Sequence, residues 1–433
     1  PDLWDVKAAS WVVEASSARF TEQGAREPFT SFVKPLTKKP VVSTGRFTSP
    51  DEMVRQIKRG IIDLIGAARP SIADPFLPKK IDEGREDEIR ECIGCNICVS
   101  GYHDCVPVRC TQNPTMGEEW RRNWHPENVP TGDANTSVLV VGAGPAGLEC
   151  AKTLGDRGFA VTLAESSKEL GGRVTKESKL PGLATWARVR DYRTNLIQTM
   201  GNIDIYKDSR LSATDITELG CDHVVIATGA KWTRNIPDEQ GRPGKLLSGT
   251  NIYTPDDILA GVIPESPVII FDFDHYYMGS CLAELLTMKN LAVTYVTPAN
   301  SVSAWSFMNN ELTEIRQRMM DLGVTINIDH NLTEFDNGSA QLTSVFRDDD
   351  TKIVEAGSVV IVGKRQPNDS LFKDLISNTE TLANTNTMSV KTIGDCKVPS
   401  AIVHAVYSGH ECARTIDDES EIPIKWERPK LFF

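Results

Sequence analysis

No apolar run in the sequence approaches the roughly 20 residues needed to cross a bilayer as a helix. No stripe of Lys and Arg marks a nucleic-acid surface. The 47 basic residues are outnumbered by 59 acidic ones, for a net charge of −12 in 433 residues. Neither a membrane span nor a nucleic-acid partner is therefore expected. There is no recognisable secretory leader, no low-complexity segment, and no repeat beyond two related strand–helix–strand units. The ten cysteines are not spread as a disulfide scaffold would spread them: Cys150, Cys221, Cys281, Cys396 and Cys412 are scattered, and the other five lie between positions 92 and 110. Clustered thiols in an otherwise cytosolic-looking chain favour a metal and a reducing, cytoplasmic compartment.

The chain is long enough for two or three domains. In residues 1–84, the strand-like runs 3–6, 40–43 and 62–66 alternate with helical stretches. Ser49-Pro50-Asp51-Glu52 reads as a capping box with proline at the first helical position. Strand–helix–strand order implies parallel pairing. Three strands cannot close an eight-stranded barrel, which takes roughly 200 residues or more. Residues 85–130 lack periodicity and suit a metal loop and linker. A strand–turn–helix–strand unit runs from 137 to 165, and a second from 267 to 296. The expected fold class is α/β: the C-terminal part of a (β/α)8 barrel, a 4Fe–4S loop, then two Rossmann-like (glutathione-reductase-like) nucleotide-binding domains. The first of these takes residues 136–245 and 366–418, the second 246–365, and 419–433 form a tail.

Cys92, Cys95 and Cys98 follow a C-x2-C-x2-C pattern, and Cys110 comes eleven residues later. A cubane cluster needs three close thiolates on one side and a more distant fourth to close it. Structural zinc sites usually pair two knuckles across a longer loop, so iron–sulfur is favoured over zinc. Cys105 competes with Cys110 as fourth ligand, and Cys110 is preferred because it leaves a longer closing loop.

Gly142-x-Gly144-x-x-Gly147 follows a strand and opens a helix. Glycines there allow a tight turn and close approach of the backbone to a pyrophosphate. The helix start supplies unpaired N–H groups. Glu165, 23 residues beyond Gly142, stands where a carboxylate can accept ribose hydroxyls. In the second unit the three glycine positions are Asp272, Asp274 and Tyr277. Two carboxylates facing a pyrophosphate repel it, and a tyrosine would block backbone approach. The second domain is expected to keep its fold without binding NAD(P)H.

These motifs, with Trp4-Asp5-Val6, G-R-F (45–47), I-G-A-A-R-P-S-I-A-D-P-F-L-P (65–78), E-C-I-G-C-N-I-C (91–98), C-T-Q-N-P (110–114), G-E-E-W-R-R (117–122) and T-I-G-D (392–395), cover almost the whole chain. Together they resemble the trimethylamine, dimethylamine and histamine dehydrogenases, which form a wider group with the dienoyl-CoA and enoate reductases. The resemblance implies FMN, a 4Fe–4S cluster, and ADP (FAD in the reductases) as cofactors. It implies that Gly45, Arg46, Ala68 and Arg69 hold the FMN phosphate, a role that backbone N–H groups and guanidinium also suit physically. It implies that Cys92, Cys95, Cys98 and Cys110 ligate the cluster, and that Gly142, Gly144, Gly147, Glu165, Arg173, Gly229 and Asp395 hold the nucleotide. Trp11 matches an aromatic of a cationic amine pocket, although a lone tryptophan is more often core. Glu14 stands where the group usually has an aspartate.

The implied reaction is oxidation of a small dimethylamine-like or histamine-like amine, with electrons leaving through the cluster to an electron-transferring flavoprotein. A homodimer is also implied. The group carries about five further barrel strands before the position of Pro1, so the chain is expected to be part of a longer enzyme, incomplete for turnover. Two rivals stay open: an NAD(P)H-dependent enoate or dienoyl-CoA reductase, and a non-catalytic electron-transfer module.

Overall fold

A computed structural model describes residues 1–418 apart from 8–9, 238–242, 248, 337 and 378–386. The expected tail, 419–433, lies outside the described residues. Strands Trp4–Val6, Val41–Thr44 and Leu64–Gly66 form a parallel sheet in chain order. Val41 packs with Phe47, Met53, Ile62, Leu77 and Ile89 in a small core on one side of it. Helix Pro50–Lys58 starts at Ser49, but no capping box forms. Gln23 Oε1 accepts from the backbone N–H groups of Thr48 and Ser49. Glu52 is committed to Arg55 and Gln56 instead of reaching back.

The cysteine segment is less irregular than its composition predicts. Asn96, in the left-handed region at φ 59°, turns the chain into helix Ile97–His103. Cys98 therefore stands in a first helical turn, while Cys92 and Cys95 precede it in extended loop.

Two five-stranded parallel sheets follow. The first has the spatial order 389–392, 223–226, 137–141, 160–164, 203–206. The second runs 252–253, 358–362, 268–272, 293–296, 325–327. Their central strands Val138–Val141 and Val268–Asp272 are buried throughout, which is why both read as near-continuous apolar runs and not as alternating ones. Chain from the far end returns to each sheet: Ser389–Thr392 pairs with His223–Ile226, and Ser358–Val362 pairs with Val268–Asp272. A short antiparallel pair, Ala230–Trp232 with Arg365–Pro367, ties the two units together. A three-stranded meander spanning 330–355 packs on the second unit through Leu332, Phe335 and Leu342.

Candidate functional site

Strand Ser137–Val141 ends at Gly142, whose φ of +104° only glycine adopts without strain. A Cβ on Gly147 would fall 1.8 Å from the Gly142 carbonyl oxygen. The helix Pro145–Asp156 therefore closes on its own strand only with glycine there. Gly144 has open space before it. Glu165 anchors the turn: Oε2 accepts from Ala143 N at 2.7 Å, and Oε1 from Ser167 N at 2.8 Å and Ser167 Oγ at 2.7 Å.

A cleft of about 1430 Å³ opens in front, lined by Gly142, Gly144, Glu165, Arg173, Gly229 and Asp395. Gly147 sits beneath it. Arg173 is already paired, to Asp256 Oδ1 at 2.9 Å and Glu177 Oε1 at 3.4 Å. Asp395 is bound by Arg365 and by Ser400 N. The cleft also reaches Ile97, Ser100, Gly101 and Asp104 of the cysteine segment's helix.

The second turn is filled from within. Asp272, fully buried, accepts through Oδ1 from the backbone N–H groups of Asp274 and His275, each at 3.1 Å, and through Oδ2 from the Tyr295 hydroxyl. Those backbone donors are ones a nucleotide phosphate would need. Burial pushes the carboxyls of both Asp272 and Asp274 up to about 6. Only Asp274 of the pair lines the cleft. Tyr277 lines the cleft beside Asp274 and reaches across to the first unit. Its hydroxyl donates to Glu177 Oε2 of the first unit at 2.8 Å, and its ring stands edge-on to Trp186. A carboxylate and a phenol too long for a glycine turn have thus each found a buried polar partner elsewhere.

Cys92, Cys95, Cys98 and Cys110 are neighbours. Burial raises the Cys95 thiol most, then pushes Cys98 up to about 12 and Cys110 up to about 11; Cys92 acts on all three, and Cys98 feels Cys110. Cys105 is exposed, at a φ of 53°, and outside this group of interactions. Among the described residues no group of three or more His, Cys, Asp or Glu side chains is arranged to hold a metal ion. The four thiols are gathered without forming a closed shell.

Gly45 and Arg46 follow strand Val41–Thr44, and Ala68 and Arg69 open a short helix just beyond Leu64–Gly66. Arg46 adopts φ 54°, and its Nε and Nη1 are buried without a hydrogen-bond partner. Burial, then Arg69, push its guanidinium down to about 10. Arg69 is used differently: Nη1 donates to Ser16 O and Asn96 Oδ1, at 2.8 and 2.6 Å, and Nη2 to Glu14 O. Trp11 and Glu14 begin and end one short helix. The half-exposed Trp11 ring lies 5.3 Å from His103 and 5.8 Å from Tyr102, centroid to centroid, so the cysteine segment supplies further aromatic wall.

Residues 136–409 match the family described as pyridine nucleotide-disulphide oxidoreductase. The chain belongs to that family. Its first 88 residues match a second one, the NADH:flavin oxidoreductase / NADH oxidase family. The chain is similar in fold to the histamine dehydrogenase of Rhizobium sp. 4-9, at 44 % identity and a TM-score of 0.96, covering 100 % of this chain and 64 % of that one. It is also similar to the 6-hydroxypseudooxynicotine amine oxidase of Pseudomonas geniculata N1, at 43 % identity and a TM-score of 0.92, covering 96 % and 62 %. Dimethylamine dehydrogenase of Hyphomicrobium sp. (strain x) is 36 % identical over 99 % of this chain and 62 % of its own length. The chain thus spans a little under two thirds of these relatives. No helix among the described residues is long and apolar enough to cross a membrane.

Sequence reasoning missed Asn96, whose side chain joins Arg69, Ala15 O and Asn309 O. It missed His103 and Tyr102 beside Trp11. Asn before a C-terminal run of cysteine motif offers no signal of its own.

Proposed function

We propose that this chain is the cluster- and nucleotide-bearing portion of an FMN-dependent amine dehydrogenase. The observation that carries this reading is the pairing of one open nucleotide turn with one plugged by Asp272. Among the described residues one turn is open to an adenine nucleotide and the turn that a nicotinamide donor would need is occupied by Asp272, which supports another substrate as the source of electrons. The similarity to histamine dehydrogenase and dimethylamine dehydrogenase supports an amine as that substrate.

The residues fit the groups this reading requires. The buried, partnerless Nε and Nη1 of Arg46 suit a phosphate, with Gly45, Ala68 and Arg69 around it. The four neighbouring thiols suit a 4Fe–4S cluster, and burial of three of them means that loading releases protons. Bound FMN supplies the two-electron acceptor and the cluster a one-electron outlet. Gly142, Gly144, Gly147, Glu165, Gly229 and Asp395 would hold ADP, or the ADP half of FAD. Trp11, with Tyr102 and His103, offers aromatic faces to an alkylammonium, and Glu14 a carboxylate one turn away. A dimethylamine-like or histamine-like substrate, an electron-transferring flavoprotein as acceptor, a homodimer and a cytoplasmic setting complete the reading.

Purified full-length protein, assayed for amine-dependent dye reduction and for bound flavin, iron and adenine nucleotide, tests it. Amine turnover with iron and ADP supports the reading; NADPH-dependent turnover with FAD and no amine activity replaces it with a reductase.

A further inference from the structure

Arg193 is the bulkiest wholly buried side chain among the described residues, and neither nucleotide turn uses it. A guanidinium out of water must have its donors satisfied. Nε donates to Glu149 Oε2 at 2.7 Å, and Nη1 to Val189 O at 2.8 Å. The remaining donors grip one residue: Nη1 reaches Gln112 Oε1 at 2.9 Å and Nη2 reaches Gln112 O at 3.1 Å.

Gln112 lies two residues past Cys110. Its amide nitrogen donates to Glu91 O at 3.0 Å and Arg188 O at 3.3 Å, so both ends of its side chain and its carbonyl are held. Asn113 is equally fixed, donating to Ile72 O and accepting from Thr115 N and Oγ1. What these clamps leave over are the backbone N–H groups of Gln112 and Asn113, two and three residues past Cys110 and committed to none of these partners. Glu149 is on the helix that opens at the nucleotide turn, and is itself held by His410 Nδ1 at 2.9 Å.

We propose that Arg193 is a positioning residue for Cys110: by clamping the Gln112 peptide it keeps two backbone N–H groups aimed at that sulfur and so sets the reduction potential of the cluster. The inference rests on the reading of the four cysteines given above. N–H groups at a ligand sulfur stabilise the more negative, reduced state, and they act strongly in a buried setting. Loosening the clamp lowers the potential.

The test is an anaerobic EPR-monitored redox titration of the full-length protein, wild type beside Arg193→Lys and Gln112→Met. Arg193→Lys keeps the charge opposite Glu149 and loses the two-pronged grip. Gln112→Met leaves the Arg193–Glu149 pair intact and carries the test if the lysine variant does not fold. Expected are equal iron contents and about tenfold less reduced cluster at a fixed applied potential, a shift of about 59 mV for one electron. A purely structural role for Arg193 lowers the melting temperature and leaves the potential where it was, which overturns the inference alone. Wild-type protein without iron or a cluster signal overturns it together with the reading beneath it.

Discussion

The helix after Val141 starts on three glycines and faces a cleft; the helix after Asp272 starts on a buried carboxylate that has taken its own turn's N–H groups. The two units share a central buried strand and a five-stranded parallel sheet, and differ in one edge strand, which is the last of its sheet in the chain in the first unit and the first in the second. They differ in what satisfies the donors at the strand–helix turn. In the first, one turn donor, Ala143 N, is taken by a carboxylate from the end of the next strand, Glu165, and Gly144 keeps open space before it. In the second, the carboxylate comes from the turn itself. A strand–turn–helix unit thus keeps its form when its turn meets its own hydrogen-bonding needs.

The strongest way to break this contrast is Gly147→Ala. The added carbon would lie 1.8 Å from the Gly142 carbonyl, so the turn must open. Adenine-nucleotide affinity should fall by about 100-fold or more, an energy on the order of the 1–3 kcal/mol of overpacking or above; isothermal titration calorimetry on nucleotide-stripped protein measures it. Asp272→Ala leaves Tyr295 and two turn N–H groups without their acceptor. It should cost about 1–3 kcal/mol of stability by thermal or urea melting, with ADP affinity unchanged. It should not create NADPH binding, because Asp274 still faces the cleft. Glu165→Gln sharpens the comparison from the other side: ADP should bind about tenfold more weakly, about 1.4 kcal/mol, and stability should fall by about 1–3 kcal/mol, because one backbone N–H of the turn then faces an amide NH2.

The smallest effect is in pH. Burial raises Asp272 and Asp274 to about 6. An acid with a raised folded pKa contributes stability that is fully present below its unfolded value and is lost as pH rises through about 6. Under the first unit the sign is opposite. Burial would raise Glu149, but Arg193 and then His410 outweigh it and hold the carboxyl well below the usual range. Burial also pushes the His410 imidazole down to about 4, so the 2.9 Å contact with Glu149 is a neutral N–H donor at pH 7, not an ion pair. Both groups lose stability as pH falls. Between about pH 6.5 and 4.5, hydrogen exchange corrected for its intrinsic rate should show Pro145–Asp156 losing protection and Tyr277–Met288 gaining it.

Much of this was legible in advance. Buried parallel strands announce themselves as apolar runs, and a glycine turn must be written in glycines, so the strands of the units 137–165 and 267–296 and the first turn stood at the expected positions, while strands such as 203–206, 223–226 and 358–362 were not read in advance. The loss of the second turn was legible from Asp272, Asp274 and Tyr277, but not the way it is lost, since the Tyr295 hydroxyl and the Glu177 carboxylate that receive those side chains are distant in sequence. The Ser49 capping box failed for a similar reason, as Gln23 reaches the helix start from another loop. Helix Ile97–His103 was hidden because cysteine spacing dominates the pattern there, and the Arg193 clamp because a buried arginine on a helix reads like an exposed one.

The most direct measurement is an anaerobic titration of full-length protein, first with dimethylamine or histamine and then with NADPH, followed by visible absorbance and EPR. The account predicts flavin bleaching and a reduced-cluster signal on amine addition, and no response to NADPH. Reduction by NADPH with silence toward both amines would contradict it, because the turn held shut by Asp272 would then be serving a nicotinamide.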